Sequence, residues 1–593
     1  LFVAVSAPRY RPDTGRSIHL TNLLLLGLGL VALRVVYVQV IRQDYFLNEI
    51  APLIATRGDV SLPQPGSLLG RNGEALAESV LLTSVLADPA RMLKNGESFD
   101  GAAEQLAGPL GRPREQILAD LKRNPASHYV ELARWSDQQT AQAVRKLGIK
   151  GVSLRSEWKR QYPGGRLACH TLGGRDRRHV ALAGLEYQFR VLLDGQPGAN
   201  PALPACTVGG TQGLVPPLPG KDLVLTLEPD LQRQVEAEMD TIWVREKPRW
   251  VSCVVMDPRT GAILALAGRP DYDPNDYVTG KPAPGYKWSA VPATATHNIP
   301  VDQSVEQGST FKILLAAAAL DKGAVKPEAR FHCGGSLGLG GKPIGCWGEW
   351  GAKGHGSLDM AGMLANSCNI CAAQIGLRLG KEAYHEFLKN AGISTYPEAG
   401  FMGEAKGRLQ SLKTIKQRDL ATMAFGQNVS CSNLQLTAII SGLVNGGVKM
   451  RPHIVAAALN KDGSVYREIP PQVEARLCSE QTSVTLKKML EGVVENGTGR
   501  AARLPDFRVG GKTGTAQQWD PTTGRHYSDR HMVSFVLVAP ADQPRYVIQV
   551  ACNEPKVGRH GSDVAAPAAR RIAEYALRQL DAGLGTGKKP AQP

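Results

Sequence analysis

The sequence predicts an α+β molecule in which an antiparallel sheet is covered by helices. Three observations carry this reading. Two apolar runs, 251–257 and 263–266, flank the turn Pro258-Arg259-Thr260-Gly261 and read as a hairpin. A second strand pair, 532–539 and 545–552, lies near the C-terminus. Helical stretches at 231–239 and 565–580 stand at the two sequence ends of these strands.

Composition bounds the rest. The chain has 593 residues, 43% of them hydrophobic and 21% charged, so it is ordinary globular material of two or more domains. Its formal net charge of +15 suits an anionic neighbour. Lys and Arg are scattered, and no zinc-finger spacing or nucleotide-binding fingerprint occurs, so nucleic acid is not expected as a partner. Ten Cys are too few for a disulfide-built scaffold. Cys333 and Cys346 bracket a Gly-rich loop, and a disulfide and two free thiols both stay open for them. His332 beside Cys333 invites a metal reading, but no second close pair supports zinc. No metal and no cofactor are expected.

Along the chain, residues 1–19 read as a polar cytoplasmic tail. Residues 20–40 are apolar enough for one transmembrane anchor, with Arg34 snorkelling toward one face. A cleaved signal peptide is the rival, but the segment is long and bulky residues follow it. The basic flank would stay inside, placing everything after it outside the membrane. Residues 41–215 are mixed α/β and rich in Gly, Pro and Arg, with a helical patch at 137–147 and no catalytic constellation. Turn-like stretches there include Arg57-Gly58, Gly70-Arg71-Asn72-Gly73 and His170-Thr171-Leu172-Gly173; Gly184-Leu185-Glu186 opens a further helical patch. A Pro- and Gly-rich linker at 201–219 leads into residues 216–580, and 581–593 read as a flexible tail.

The chemistry concentrates in three short motifs. Gly308-Ser309-Thr310-Phe311-Lys312 precedes an apolar run to Leu320 and reads as a buried helix whose first turn holds Ser309 and Lys312. Residues three apart share a helix face, so an amine stands beside a hydroxyl that needs help to become a nucleophile. Ser367-Cys368-Asn369 follows a helical stretch, and Lys512-Thr513-Gly514-Thr515 lies on a predicted strand. Each motif alone is weak. S-x-x-K, S-x-N and K-T-G in this order are the signature of the penicillin-recognising serine acyltransferases.

The chain resembles the class B penicillin-binding proteins, bitopic peptidoglycan transpeptidases. Asp257-Pro258, Phe425-Gly426-Gln427 and the pedestal stretches above add to the motifs. The resemblance implies a penicillin-binding/β-lactamase-like transpeptidase domain at 216–580, behind a non-catalytic pedestal at 41–215. It implies D,D-transpeptidation: an acyl-serine on Ser309, Lys312 as its base, and Ser367 relaying protons. Asn369 would hold Lys312 and the substrate amide. Lys512, Thr513 and Thr515 would hold a carboxylate, and Gly514 would leave room for substrate. The backbone N–H groups of Ser309 and Thr515 would form the oxyanion hole. Expected partners are D-Ala-D-Ala stem peptides, β-lactams, a SEDS-type glycan polymerase and other divisome membrane proteins. Cys346-Trp347, His355-Gly356 and Asn366-Ser367-Cys368-Asn369 look like the division and sporulation branch more than the rod-elongation branch. Gln307 departs from the Pro common at that position, and Gly70 from an Asp. Rivals are a D,D-carboxypeptidase or β-lactamase, and a β-lactam sensor or non-catalytic scaffold. Glu404 is expected to be a solvated surface residue, not a deacylating base.

Overall fold

The computed structural model describes residues 63–198, 216–279 and 296–582 apart from 342, 521 and 524, with a few positions between 22 and 37. The predicted tail at 1–19, most of the predicted anchor at 20–40, Arg57-Gly58, most of the linker and nearly all of the C-terminal tail lie outside the described residues. Among the described residues no helix is long and apolar enough to cross a membrane. The described residues of 64–195, 219–279 and 296–582 make one compact unit.

The predicted hairpin forms as strands Trp250–Met256 and Ile263–Arg269, and the predicted C-terminal pair as Arg525–Ala539 and Tyr546–Asn553. Strand Gly510–Asp520 joins them at one edge. The order is Gly510–Asp520, Arg525–Ala539, Tyr546–Asn553, Trp250–Met256, Ile263–Arg269, and every pairing is antiparallel. Three of these strands are buried along their whole length, which is why their sequences run apolar without alternation. Helices Pro229–Glu246 and Gly561–Asp581 pack together with Val251, Val533 and Ile548 in one core. Helix Lys312–Asp321 packs with Asn369–Leu379, Asn433–Val444 and the strand residues Val536, Val538 and Val547 in another. Residues 312–319 are buried on every side, so this helix is central and not amphipathic.

A second sheet has seven strands. Asp222–Leu225 lies between Leu68–Leu69, to which it is parallel, and Val455–Leu459, to which it is antiparallel. The long strand Ala75–Ala87 carries Val130–Ser136 and Val152–Gln161. Helix Gln138–Leu147 is capped by Asp137, whose carboxylate accepts the Thr140 N–H at 2.7 Å.

The stretches singled out between residues 70 and 200 are structural. Arg71 pairs with Glu228 at 3.7 Å. A Cβ at Gly173 would lie 1.8 Å from the Ala183 carbonyl oxygen, so the two segments cross where only glycine fits. Glu186 opens the helix Gly184–Gln188 and is fully buried between Arg160 (2.6 Å) and Arg175 (2.5 Å), with Tyr162 donating its hydroxyl at 3.2 Å. His170 packs edge-on against Tyr272, 5.6 Å between ring centres.

Candidate active site

Ser309 sits in a turn of 3-10 helix, Gly308–Phe311, and the α-helix begins only at Lys312. The single continuous helix expected from the sequence is therefore tightened over its first turn. The cause is crowding. Gly308 has φ +58° and its N–H donates to the Gly426 carbonyl at 3.2 Å. A Cβ on Gly426 would lie 2.1 Å from the Gly308 oxygen. The turn is held from below by Gln307, which is fully buried. Its amide donates to the Cys431 carbonyl (3.1 Å) and to Asn433 Oδ1 (2.9 Å), and its oxygen accepts from Gln549 (3.2 Å). The departure at this position thus supplies an anchor to the sheet and the neighbouring helix.

The three motifs converge. Lys312 Nζ lies 2.8 Å from Ser309 Oγ, 2.8 Å from Asn369 Oδ1, 2.7 Å from the Ser367 carbonyl oxygen and 3.3 Å from Ser367 Oγ. Lys512 Nζ lies 2.9 Å from the same Ser367 Oγ and donates to the Thr513 carbonyl at 3.0 Å. The Ser367 hydroxyl therefore bridges the two lysine amines. Both lysines are fully buried. Burial pushes Lys312 down to about 7. Burial and then the neighbouring Lys312 charge hold Lys512 well below the usual lysine range.

Ser367 has φ +53°, a left-handed conformation uncommon outside glycine. It is fixed between the end of helix Met360–Ala365 and the start of Asn369–Leu379, which Cys368 caps with its sulfur on the Cys371 N–H at 3.4 Å. Strand Gly510–Asp520 is a sheet edge, so alternate backbone groups face away from the sheet. Thr513, Thr515 and Gln517, two apart, line a cavity of about 880 Å³ together with Ser309, Ser367, Asn369 and Thr498. Thr498 and Thr513 share a hydroxyl contact at 3.0 Å. Gly514 also meets a constraint within the fold. A Cβ there would meet Ser534 Oγ at 2.3 Å and the Gln307 carbonyl oxygen at 2.9 Å. Glycine allows the strand to lie against the turn that holds Ser309.

Sequence reasoning missed several lining residues. His526, His531, His560 and Trp347 face the same cavity. His526 Nε2 lies 2.8 Å from Glu306, whose other oxygen accepts the Asn428 N–H at 2.9 Å. Glu306 is only three residues before Ser309, but its partner is 220 positions away. Glu404 is half-buried; it accepts the N–H groups of Glu398 and Phe401 at 2.6 and 3.1 Å and braces a loop. Cys333 and Cys346 are free thiols.

A penicillin binding protein transpeptidase domain matches residues 251–574, and a penicillin-binding protein dimerisation domain matches 61–200. Stage V sporulation protein D of Bacillus subtilis is 32% identical over 87% of this chain and 78% of its own length. Peptidoglycan D,D-transpeptidase FtsI of Escherichia coli is 27% identical over 96% of this chain and 93% of its own. Among solved structures, penicillin binding protein 3 of Mycobacterium tuberculosis, complexed with aztreonam, is 25% identical with a TM-score of 0.67, covering 90% of this chain and 99% of that one. The transpeptidase match spans more than half of the 593 residues, and the chain belongs to the penicillin-binding protein transpeptidase family.

Proposed function

We propose that this protein is a peptidoglycan D,D-transpeptidase that cross-links stem peptides through an acyl-serine on Ser309 and is acylated there by β-lactams. The observation that carries the reading is a nucleophile 2.8 Å from a fully buried amine whose pKa lies near 7. Lys312, whose neutral form is well populated near pH 7, takes the Ser309 Oγ proton as Oγ attacks the carbonyl of the penultimate D-Ala. The oxyanion is received by the N–H groups of Ser309 and Thr515. The first lies at the start of a helical turn, where N–H groups have no partner within the helix, and the second on a sheet-edge strand. Ser367, within reach of both lysines, passes a proton to the departing D-Ala amine. The substrate carboxylate lies against Thr513, Thr515 and Lys512. Two adjacent ammonium groups do not both hold charge, and an arriving carboxylate favours charge on Lys512 while Lys312 stays neutral. An amine of a second stem peptide then attacks the ester and releases Ser309.

The role is septal, as in the division and sporulation proteins it resembles. The organisation is an anchor at 20–40, a pedestal at 41–215 and a catalytic domain at 216–580 outside the membrane. Support comes from the apolar run at 20–40 and from the matched ranges 61–200 and 251–574. A SEDS-type polymerase and other divisome membrane proteins are the partners of this reading.

The test is labelling with a fluorescent penicillin, wild type beside Ser309→Ala, followed over time. A stable adduct on the Ser309 peptide, absent from the variant, is expected. An adduct lost within seconds would reassign the protein as a β-lactamase, and none from folded protein as a scaffold.

A further inference from the structure

Four side chains beside the second motif form a cluster that the transpeptidase chemistry does not use. Cys333 ends strand Phe331–Cys333, Cys346 follows strand Ile344–Gly345, His355 lies just before strand Gly356–Leu358, and Cys368 stands between Ser367 and Asn369. Their three sulfurs and one ring nitrogen all lie within 4.8 Å of one another. Cys333 Sγ is 3.7 Å and Cys346 Sγ 3.5 Å from His355 Nδ1, and Cys346 Sγ is 3.9 Å from Cys368 Sγ. A tetrahedral zinc with Zn–S of about 2.3 Å and Zn–N of about 2.0 Å requires ligand-to-ligand edges of about 3.5–3.8 Å. Three of the six spacings lie within about 0.1 Å of that range, and all six are within 4.8 Å, close enough for small side-chain shifts to complete the tetrahedron. A disulfide would need sulfurs about 2.05 Å apart, and an odd number of thiols would leave one over. The His355 ring is already oriented, stacked on Trp350 with 4.4 Å between ring centres. Cys333 and Cys368 are buried, so the site is closed in the manner of a structural ion.

We propose that Cys333, Cys346, His355 and Cys368 bind one Zn²⁺ ion, and that this ion positions the Ser367-Cys368-Asn369 segment for acylation. Soft thiolates with one imidazole in tetrahedral array select zinc over the hard divalent ions. The four ligands come from separated segments, so the ion ties the loop carrying Cys346 and Trp347, which borders the cavity, to the residue adjoining Ser367. Without the ion, this loop is held by the pairs Ser336 with Gly345 and Leu337 with Ile344, by the Cys346 N–H on the Gly335 carbonyl at 2.8 Å and by the Trp347 indole N–H on the Asn366 carbonyl at 3.0 Å. Ser367 must keep its left-handed conformation to bridge Lys312 and Lys512, and a metal ligand at the next residue holds that backbone in place. Binding converts thiols to thiolates, with the protons released to solvent. The effect on acylation rests on the function proposed above; the metal site does not.

Elemental analysis of the full chain, purified without chelator under reducing conditions, is expected to give one zinc per chain. A thiol-blocking mercurial should release it in full. Cobalt substitution of the wild type should give the intense visible bands of a tetrahedral thiolate site, a readout that needs no variant. Cys346→Ser and His355→Ala should each lose most of the zinc. Penicillin acylation of Ser309 in these variants should fall about 10–100-fold, with circular dichroism reporting the fold. Ser309→Ala should keep its zinc and lose acylation, which separates failure of the metal site from failure of the catalytic reading. Less than about a tenth of a zinc per chain, a Cys346–Cys368 disulfide in the native protein, or copper or iron in its place would overturn the assignment. Full zinc with unchanged acylation after its removal would overturn the positioning role.

Discussion

At the scale of single residues, the proposed mechanism makes Lys312 the group that sets the pH response. Its ordinary value of 10.5 is brought to about 7 by burial. Only the neutral amine accepts the Ser309 proton. Above about pH 7 most molecules are ready, and below it the competent fraction falls roughly tenfold per pH unit. The second-order rate of penicillin acylation should therefore rise from about pH 5.5, level off above about 7.5, and report a single ionisation near 7. A rate unchanged between about pH 6 and 8 would rule out Lys312 as the titrating base. Ser367 permits a sharper separation of strain from chemistry. Its left-handed backbone costs on the order of 1–3 kcal/mol, and its hydroxyl touches both lysines. Ser367→Gly relieves the first and removes the second. The variant should melt no lower than wild type yet acylate about 10²–10⁴ times more slowly. Unimpaired acylation would show that the hydroxyl is dispensable to proton transfer.

At the scale of elements, the site depends on an edge strand pressed against a helical turn. Gly514→Ala places a methyl 2.3 Å from Ser534 Oγ and 2.9 Å from the Gln307 carbonyl oxygen. The Ser534 hydroxyl can rotate away, but Gln307 is pinned by its side-chain amide on Cys431 and Asn433, and its carbonyl oxygen accepts from the Thr310 hydroxyl at 2.9 Å. The strand must therefore move, carrying Thr513 and Thr515 with it. Displacement near 1 Å costs on the order of 10²-fold in rate, and overpacking costs about 1–3 kcal/mol. Slowed acylation with a modestly lowered melting midpoint is expected. Wild-type acylation would show that the close approach is not needed for catalysis. Much of this layer was legible beforehand. Apolar runs around turn residues located the hairpin and the C-terminal strand pair, and three motifs named every group that meets at Lys312. What stayed hidden was held by distant pairing. Glu306 finds His526 220 positions away, and the Cys and His cluster draws on segments with no pairwise zinc spacing. The 3-10 start of the catalytic helix depends on Gly426 crossing Gly308, which no local propensity encodes.

At the scale of the whole molecule, the sheet topology ignores the boundary that composition suggests. Strand Asp222–Leu225 follows the Pro-rich linker, yet it pairs with Leu68–Leu69 on one side and Val455–Leu459 on the other. One core cluster unites Leu68, Leu76, Tyr162 and Leu185 with Val254, Met256, Ile263, Leu434 and Ile454. Each large apolar side chain buried there contributes about 1.5–3 kcal/mol as an upper estimate. A fragment of residues 216–582 would lose the first four of these and bare one edge of the 222–225 strand. Such an edge is a template for association with other chains. The fragment should thus melt lower than one spanning 64–582, bind a dye that reports exposed apolar surface, and be cut faster by protease. Acylation of Ser309 should survive only in its folded fraction, because all of the motifs lie after residue 300. Equal melting midpoints and no dye binding would mean that the catalytic half folds independently and that the shared sheet is a contact between finished bodies. The expected outcome instead makes the N-terminal half part of the support of the active site.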